Sequence, residues 1–142
     1  MAITQAVANS FKTEVLTGTH NFTATTGDSF KLALYTNSAT ISKSTTAYTT
    51  TAEVSGTGYT ATGNTLTSVT PALSSDTAVC DFADTSWTSA TITARGALIY
   101  NYSQSDKAVV ILDFGGDKTS TAGTFTIQFP AADASNAILR LA

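Results

Sequence analysis

The sequence predicts an all-β fold: a single-domain antiparallel β-sandwich with one N-terminal amphipathic helix. Three observations predict it. Thr and Ser supply roughly a third of the 142 residues, and β-branched Thr suits a half-buried strand. Apolar and polar residues alternate over many short segments that Gly, Pro, Asn and Asp separate. Charged residues make up only 12%, too few for a disordered chain. A jelly roll is one form of such a sandwich, and a closed barrel is the alternative.

The first predicted element is a helix over residues 3–16. Four apolar residues recur at steps of four and therefore share one helix face: Ile3, Val7, Phe11 and Val15. Gly18 stands where a helix stop is expected. A helix of this length needs its apolar stripe buried, on its own sheet or on a neighbouring subunit. We therefore assign these four residues as tentative partner-binding positions.

The segment 36–52 is rich in Thr and Ser and has little apolar patterning. We interpret it as a long loop or an arm that reaches a neighbour, and Tyr48 within it is a fifth tentative partner-binding residue. Residues 53–142 form the main β region. The chain shows no linker and no internal repeat, so residues 1–142 are expected to form one domain.

Period-two alternation begins at Phe30 and predicts strands over the following ranges: 30–35, 58–62, 65–70, 76–83, 91–102, 108–114, 124–129 and 137–141. Turn chemistry divides them. Pro71 is expected to separate two strands, and Gln104-Ser105-Asp106 to connect two others. The Gly-rich stretch from Gly115 to Gly123 is expected to form another turn.

Charge and composition exclude several classes of function. The net charge of −3 and the pI of about 4.7 give no field that would attract nucleic acid or an anionic membrane surface. No apolar stretch approaches the roughly 20 residues of a membrane span, and no secretory signal is recognisable. We expect a protein made in the cytoplasm. Cys80 is the only cysteine, so an internal disulfide and a multi-cysteine zinc site are excluded.

Catalytic chemistry has little support in the sequence. His20 is the only histidine and is read as exposed or locally hydrogen-bonded. Cys80 lies in an alternating strand and is read as a small buried hydrophobe. The acidic pairs Asp81/Asp84 and Asp113/Asp117 lack the pattern of a calcium loop and are read as turn residues. We therefore predict no catalytic, cofactor-binding or metal-binding residues, and an enzyme is the third-ranked class.

Two further motifs have structural and functional readings. Gly56 and Gly58 form a G-x-G without a following helix or a third glycine, so they are read as shaping a bend before Tyr59 rather than as a phosphate loop. Six aromatic residues could build a sugar-binding platform, although packing is their commoner fate: Tyr35, Tyr48, Tyr59, Trp87, Tyr100 and Tyr102. Arg95 is expected to form a structural ion pair with an Asp.

Several segments in order resemble small virion structural proteins of tailed bacteriophages. The segments are Glu53 to Tyr59, Trp87, Ile92 to Tyr100, Asp113-Phe114-Gly115 and Gly123 to Ile127. The stretch Phe11-Lys12 and the following Gly18 to Phe22 extend the resemblance towards the N-terminus. In similar sequences a basic residue follows the Gly-x-Gly-Tyr element, whereas this chain has Thr60. No functional residue is therefore carried over.

The resemblance implies a place in a virus particle rather than a reaction. We expect a capsid decoration or cement protein that stabilises the head through contacts with the major capsid protein or other virion proteins. A homo-oligomer is expected, because many symmetric copies multiply weak contacts. The alternative is a tail or tail-fibre component that binds host glycan. That alternative predicts exposed tyrosines clustered with Trp87 on one surface.

Overall fold

A computed structural model describes residues 2–142. Strands make up 47% of the chain and helices 8%, so the predicted all-β, sandwich-like fold is confirmed. The one α-helix, α1, spans Asn9–Leu16. The strands are β1 Ala6–Val7, β2 Phe30–Tyr35, β3 Asn64–Thr65, β4 Ser68–Ser74, β5 Thr77–Phe82, β6 Thr85–Asn101, β7 Lys107–Ile127 and β8 Leu139–Leu141.

The strands form two antiparallel sheets. The larger sheet has the order β1-β7-β6-β2-β3, and the smaller has the order β4-β5-β8. The long β6–β7 hairpin is the centre of the larger sheet. A 3₁₀ turn over Tyr102–Gln104 connects its strands, and the Asn101 side chain caps that turn by accepting from the backbone N–H groups of Ser103 and Gln104. The predicted turn at 104–106 is therefore present, with Ser105 in the left-handed conformation.

The N-terminal helix is shorter than predicted. It begins at Asn9 rather than at residue 3, and Ala8 before it is extended. Ala6 and Val7 instead form β1, which pairs with Ile111 and Val110 of β7. Of the four residues on the predicted helix face, only Phe11 and Val15 therefore lie on the helix. Pairing with β7 gives Ala6 and Val7 a strand conformation instead.

Residues 36–52 form a loop that lies on the body of the protein. Ala39 and Ile41 are buried in the core. The backbone of the loop accepts hydrogen bonds at Ile41 from Thr4 and at Lys43 from Asn9. Of the two readings of this segment, loop and arm, the structure has the loop.

Several strand boundaries also differ from the prediction. Pro71 lies inside β4, where the register with β5 shifts between Val69 and Ala72. A proline is tolerated there because β4 is an edge strand with a bulge. Residues 58–62 form turns rather than a strand. The glycine-rich stretch 115–123 does not end a strand, because β7 continues through it by means of bulges.

The core lies where β2 pairs with the end of β6 nearest the hairpin turn, with β7 on the other side of β6. Every residue from Gly96 to Asn101 on β6 is buried, as is every residue from Ala108 to Ile111 on β7. Phe82 of β5 joins the smaller sheet to this core, with its ring 5.8 Å from the ring of Phe30.

Candidate functional site

The five residues predicted to bind a partner are engaged within the chain itself. Ile3 and Phe11 are 6% and 7% exposed and belong to the hydrophobic core. Val7 and Val15 are partly buried against that core. Tyr48 stacks its ring on that of a buried tyrosine, with the centroids 4.8 Å apart. In this conformation these side chains stabilise the fold and leave little surface for another protein.

His20 lies in a buried polar network at the end of the core. Its side chain is fully buried; Nε2 lies 2.9 Å from Glu14 Oε1, and Nδ1 lies 2.9 Å from Asn101 Nδ2. The Asn101 amide oxygen accepts hydrogen bonds from two backbone N–H groups, so the amide nitrogen is the atom that faces His20. Because a carboxylate only accepts and an amide nitrogen only donates, Nε2 of His20 carries the proton and Nδ1 accepts. The ring joins α1 to β6 and has no exposed face.

Asp28 extends this network. Its Oδ2 accepts from Asn101 Nδ2 at 2.8 Å and from the backbone N–H of Asn21 at 3.0 Å. Burial raises the pKa of Asp28, but the hydrogen bonds from Asn101, Asn21 and Gln104 together outweigh burial, so the pKa lies below its ordinary value. The carboxylate is a satisfied structural acceptor.

The aromatic residues do not form a surface platform. Trp87 is 4% exposed, and Tyr35 and Tyr100 are fully buried. Tyr48 and Tyr59 donate their hydroxyl groups to the Glu53 carboxylate. Burial is the main cause that raises the pKa of all four of these tyrosines. Tyr102 alone among the six aromatics considered for sugar stacking is largely exposed, at 54%.

Cys80 and Asp81 are neighbours on β5 with opposite orientations. Burial raises the pKa of the Cys80 thiol to about 12, which leaves it protonated and unreactive at neutral pH. Asp81 is 2% exposed, and its Oδ2 has no hydrogen-bond partner among residues 2–142. Burial raises the pKa of Asp81, and the nearby charge of Asp84 raises it further. In the described residues of the small sheet, Oδ2 of Asp81 is the one buried side-chain polar atom without a hydrogen-bond partner.

Arg95 forms the predicted ion pair. Its Nε lies 3.2 Å from Asp113 Oδ1, and Asp113 also accepts from the backbone N–H of Gly115. This pair lies at the β7 bulge, where the register with β6 shifts between the Gly96–Asp113 and Ala94–Lys118 pairs. No group of three or more potential metal ligands occurs in the described part of the chain.

An exposed apolar row marks the open end of the small sheet. Leu73 on β4, Ala78 on β5 and Leu141 on β8 lie directly opposite one another in the register. Leu73 is 75% exposed and Leu141 is 68% exposed. Because side chains alternate along a strand, Phe82 shares the face of Ala78 and connects this row to the core. We define Leu73, Ala78 and Leu141 as the apolar row.

Sequence reasoning missed the apolar row. Alternation predicts a terminal strand over 137–141, which contains Leu139 and Leu141, and strands over 65–70 and 76–83, which leave Leu73 between them. Pairing of β4 and β8 on either side of β5 brings Leu73 and Leu141 together, although they are far apart in the sequence. The signal in the sequence is a leucine near the end of each of these two strands.

No protein-family model, curated protein or solved structure matches this chain. In residues 2–142, no helix has the length and apolarity that crossing a membrane requires.

Proposed function

We propose that this chain is a structural protein of the tailed-bacteriophage virion: a head decoration or cement protein that stabilises the head by binding the major capsid protein. One observation carries the proposal, the exposed apolar row at the open end of the small sheet. Contact with another protein would remove these leucines from water. Exposed apolar surface of this kind is typical of protein–protein contact sites.

The surroundings of the row support a contact with protein. Both outer strands of the small sheet, β4 and β8, have an open edge beside the row. Arg140 pairs with Val79 in the register, so its side chain lies on the face opposite the row and leaves the row free of charge. Depletion of charge is typical of the centre of a specific interface.

The small size of this surface suits a protein that acts in many copies. A few apolar side chains bind weakly, but attachment at many symmetry-related positions multiplies weak affinities. The host-glycan alternative depends on exposed aromatic rings, and five of the six rings considered for it are turned into the protein.

The location is tested by electron microscopy of the source virus particles labelled with antibody against this protein. Dense label over the head is expected. Label confined to the tail would replace the head assignment with a tail one, and particles without label would refute the virion proposal altogether.

The role of the apolar row is tested separately with particles that lack the protein. The double variant Leu73→Asp/Leu141→Asp is expected to bind these particles with an affinity lower by about tenfold or more. The reason is that two charges must then be buried at the contact. Leu16→Asp is the matched control, since Leu16 is 86% exposed at the end of α1. An equal loss in the control would show that the row is not the contact.

A further inference from the structure

The distal part of β7 has a free edge. β1 pairs with β7 only at Val110 and Ile111. From Lys118 to Ile127, β6 occupies one edge of β7, and no strand occupies the other. In residues 2–142, the backbone hydrogen bonds of this stretch all run towards β6. The outward-facing N–H and C=O groups are therefore available to another strand.

A groove of about 580 Å³ runs along this edge. Its lining includes every residue from Lys118 to Ser120 and every residue from Thr124 to Gln128. Successive side chains of a strand point to opposite faces, so runs of consecutive residues line one groove where it borders the backbone of the strand. Phe125, Ile127 and Ile138 give the groove an apolar part.

The other strand edges of the protein are short, interrupted or covered. β1 and β3 have two residues each, and β8 has three, one of them Arg140. β4 contains Pro71 and a bulge. The outer edge of distal β6 is covered by the preceding loop, whose Thr57 carbonyl accepts from Thr91 N–H. Such features are how proteins prevent strand addition.

Distal β7 has fewer of these protections. Thr119 to Ile127 contain neither proline nor a charged residue. The register with β6 shifts at Ala122, where φ is 46°, and again between Gly123 and Phe125, where the extra residue is on β6. The β7 chain is therefore extended over 118–120 and 123–127. The second stretch, Gly-Thr-Phe-Thr-Ile, has the β-branched and aromatic composition that favours strand pairing.

The chemistry of the edge matches a second copy of itself. β7 already pairs its threonines with β6 hydroxyl groups, through Ser86 with Thr126 at 2.9 Å and Thr93 with Thr119 at 3.1 Å. An antiparallel pair of two β7 edges would repeat such hydroxyl pairs on the other side. It would bring no like charges together, because the Lys118 residues of the two copies would lie at opposite ends.

We propose that the 123–127 edge of β7 pairs antiparallel with the same edge of a second copy, which joins two larger sheets across a two-fold axis. The whole edge from residue 119 to 127 is only about 30 Å long. It buries less than the roughly 800 Å² per partner of a standard interface, so two isolated copies associate weakly. The pairing is a property of the isolated protein and stands or falls separately from the virion proposal.

Sedimentation equilibrium of the purified protein tests the pairing, at concentrations between about 1 μM and 1 mM, the range of weak specific association. The wild type is expected to dimerise in this range. Thr124→Lys with Thr126→Lys is expected to raise the dissociation constant about tenfold or more, since lysines on an edge oppose strand addition. Thr88→Lys with Thr93→Lys adds the same charge to exposed β6 positions and is expected to leave dimerisation within about twofold. A wild type that stays monomeric at the highest concentration, or equal weakening by both variants, would overturn the proposal.

Disulfide trapping gives a second test that does not depend on tolerance of lysine. Cys80→Ala removes the one native thiol, and single cysteines then replace Thr124, Thr126 or, as a control, Thr88. Pairing of 123–127 with itself places residue 124 of one copy opposite residue 126 of the other. Oxidation of an equal mixture of the Thr124→Cys and Thr126→Cys variants is therefore expected to trap the mixed dimer, whereas an equal mixture of Thr124→Cys with Thr88→Cys is not. Equal trapping in the two mixtures would indicate random collision and would contradict the paired edge. Circular dichroism checks that each variant keeps the wild-type fold.

Discussion

The two halves of the β6–β7 hairpin show how one pair of strands occupies two environments. In the inner half, near the turn, every residue of Gly96 to Asn101 is buried, which means that both faces of the sheet are covered. In the outer half, from Thr85 to Ala94, buried side chains such as Trp87 and Ile92 alternate with exposed hydroxyl residues. The difference teaches that the inner half provides stability, whereas the outer half provides surface. Two pairs of substitutions test that division, and a third pair compares two aspartates in opposite environments.

The largest effect is expected at Gly63, which packs beside the inner half. Its φ is +78°, and a Cβ there would collide with the backbone carbonyl of Leu32 on β2. Gly63→Ala is expected to lower the free energy of unfolding by about 4 kcal/mol, measured by urea denaturation. Gly115 has nearly the same φ, +79°, but has open space around it. Gly115→Ala is expected to cost about 1 kcal/mol, and equal costs would show that φ, rather than crowding, sets the penalty.

The next effect is expected at Asn101, the last residue of the inner half. Its fully buried amide donates to His20 and Asp28 and accepts from two backbone N–H groups of the turn. Asn101→Ala is expected to lower the free energy of unfolding by about 3 kcal/mol, because several buried groups lose their partners. Thr93→Ala, which removes one exposed hydroxyl pair in the outer half, is expected to cost within about 0.5 kcal/mol. If Asn101→Ala lowered the free energy of unfolding less than Thr93→Ala does, the inner half would not be the more stabilising part of the hairpin.

The smallest effect is expected from two aspartates with opposite environments. The pKa of Asp81 is raised, first by burial, so its charged form destabilises the folded state above that pKa. Asp81→Asn is expected to raise the free energy of unfolding at pH 7 by about 1 kcal/mol, the scale of one unsatisfied buried polar atom. As pH falls through the raised pKa towards about 4, the wild type binds a proton and the advantage of the variant shrinks.

Asp28 is expected to behave in the opposite sense. Its pKa is lowered, because hydrogen bonds to its charged form outweigh burial. Asp28→Asn is therefore expected to destabilise the protein at pH 7, and the difference is lost as pH falls below about 4 through the lowered pKa. Urea denaturation at pH 3, 5 and 7 measures both variants. The same sign for the two aspartates at pH 7 would contradict the assigned environments.

Local alternation was enough to predict the strands that end in the core. β2 and β5 occur where apolar and polar residues alternate over six residues. The hairpin turn occurs where Ser105 and Asp106 predict one. The length of β7 was not predictable in this way. Gly115 and Gly123 are turn residues by local preference, but pairing with β6 carries the strand through both by means of bulges.

The candidate site was less predictable than the fold. Val7 has helical spacing, but a strand partner more than a hundred residues away determines its conformation. The apolar row combines the local β4–β5 hairpin with the pairing of β5 to β8, a strand far along the chain. Patterns within a short window describe neighbours in the chain, so they do not predict the β1–β7 and β5–β8 pairings.

The pairing of β1 with β7 has a consequence for synthesis on the ribosome. Ala6 and Val7 are synthesised more than a hundred residues before their partners at positions 110 and 111. Until then, the segment that includes Ile3 and Phe11 lacks part of the structure that covers it. Contacts so distant in sequence form late in folding, whereas the β6–β7 hairpin closes across a five-residue turn. We expect the hairpin to fold first and β1 to dock last, after residues 110 and 111 have left the ribosome.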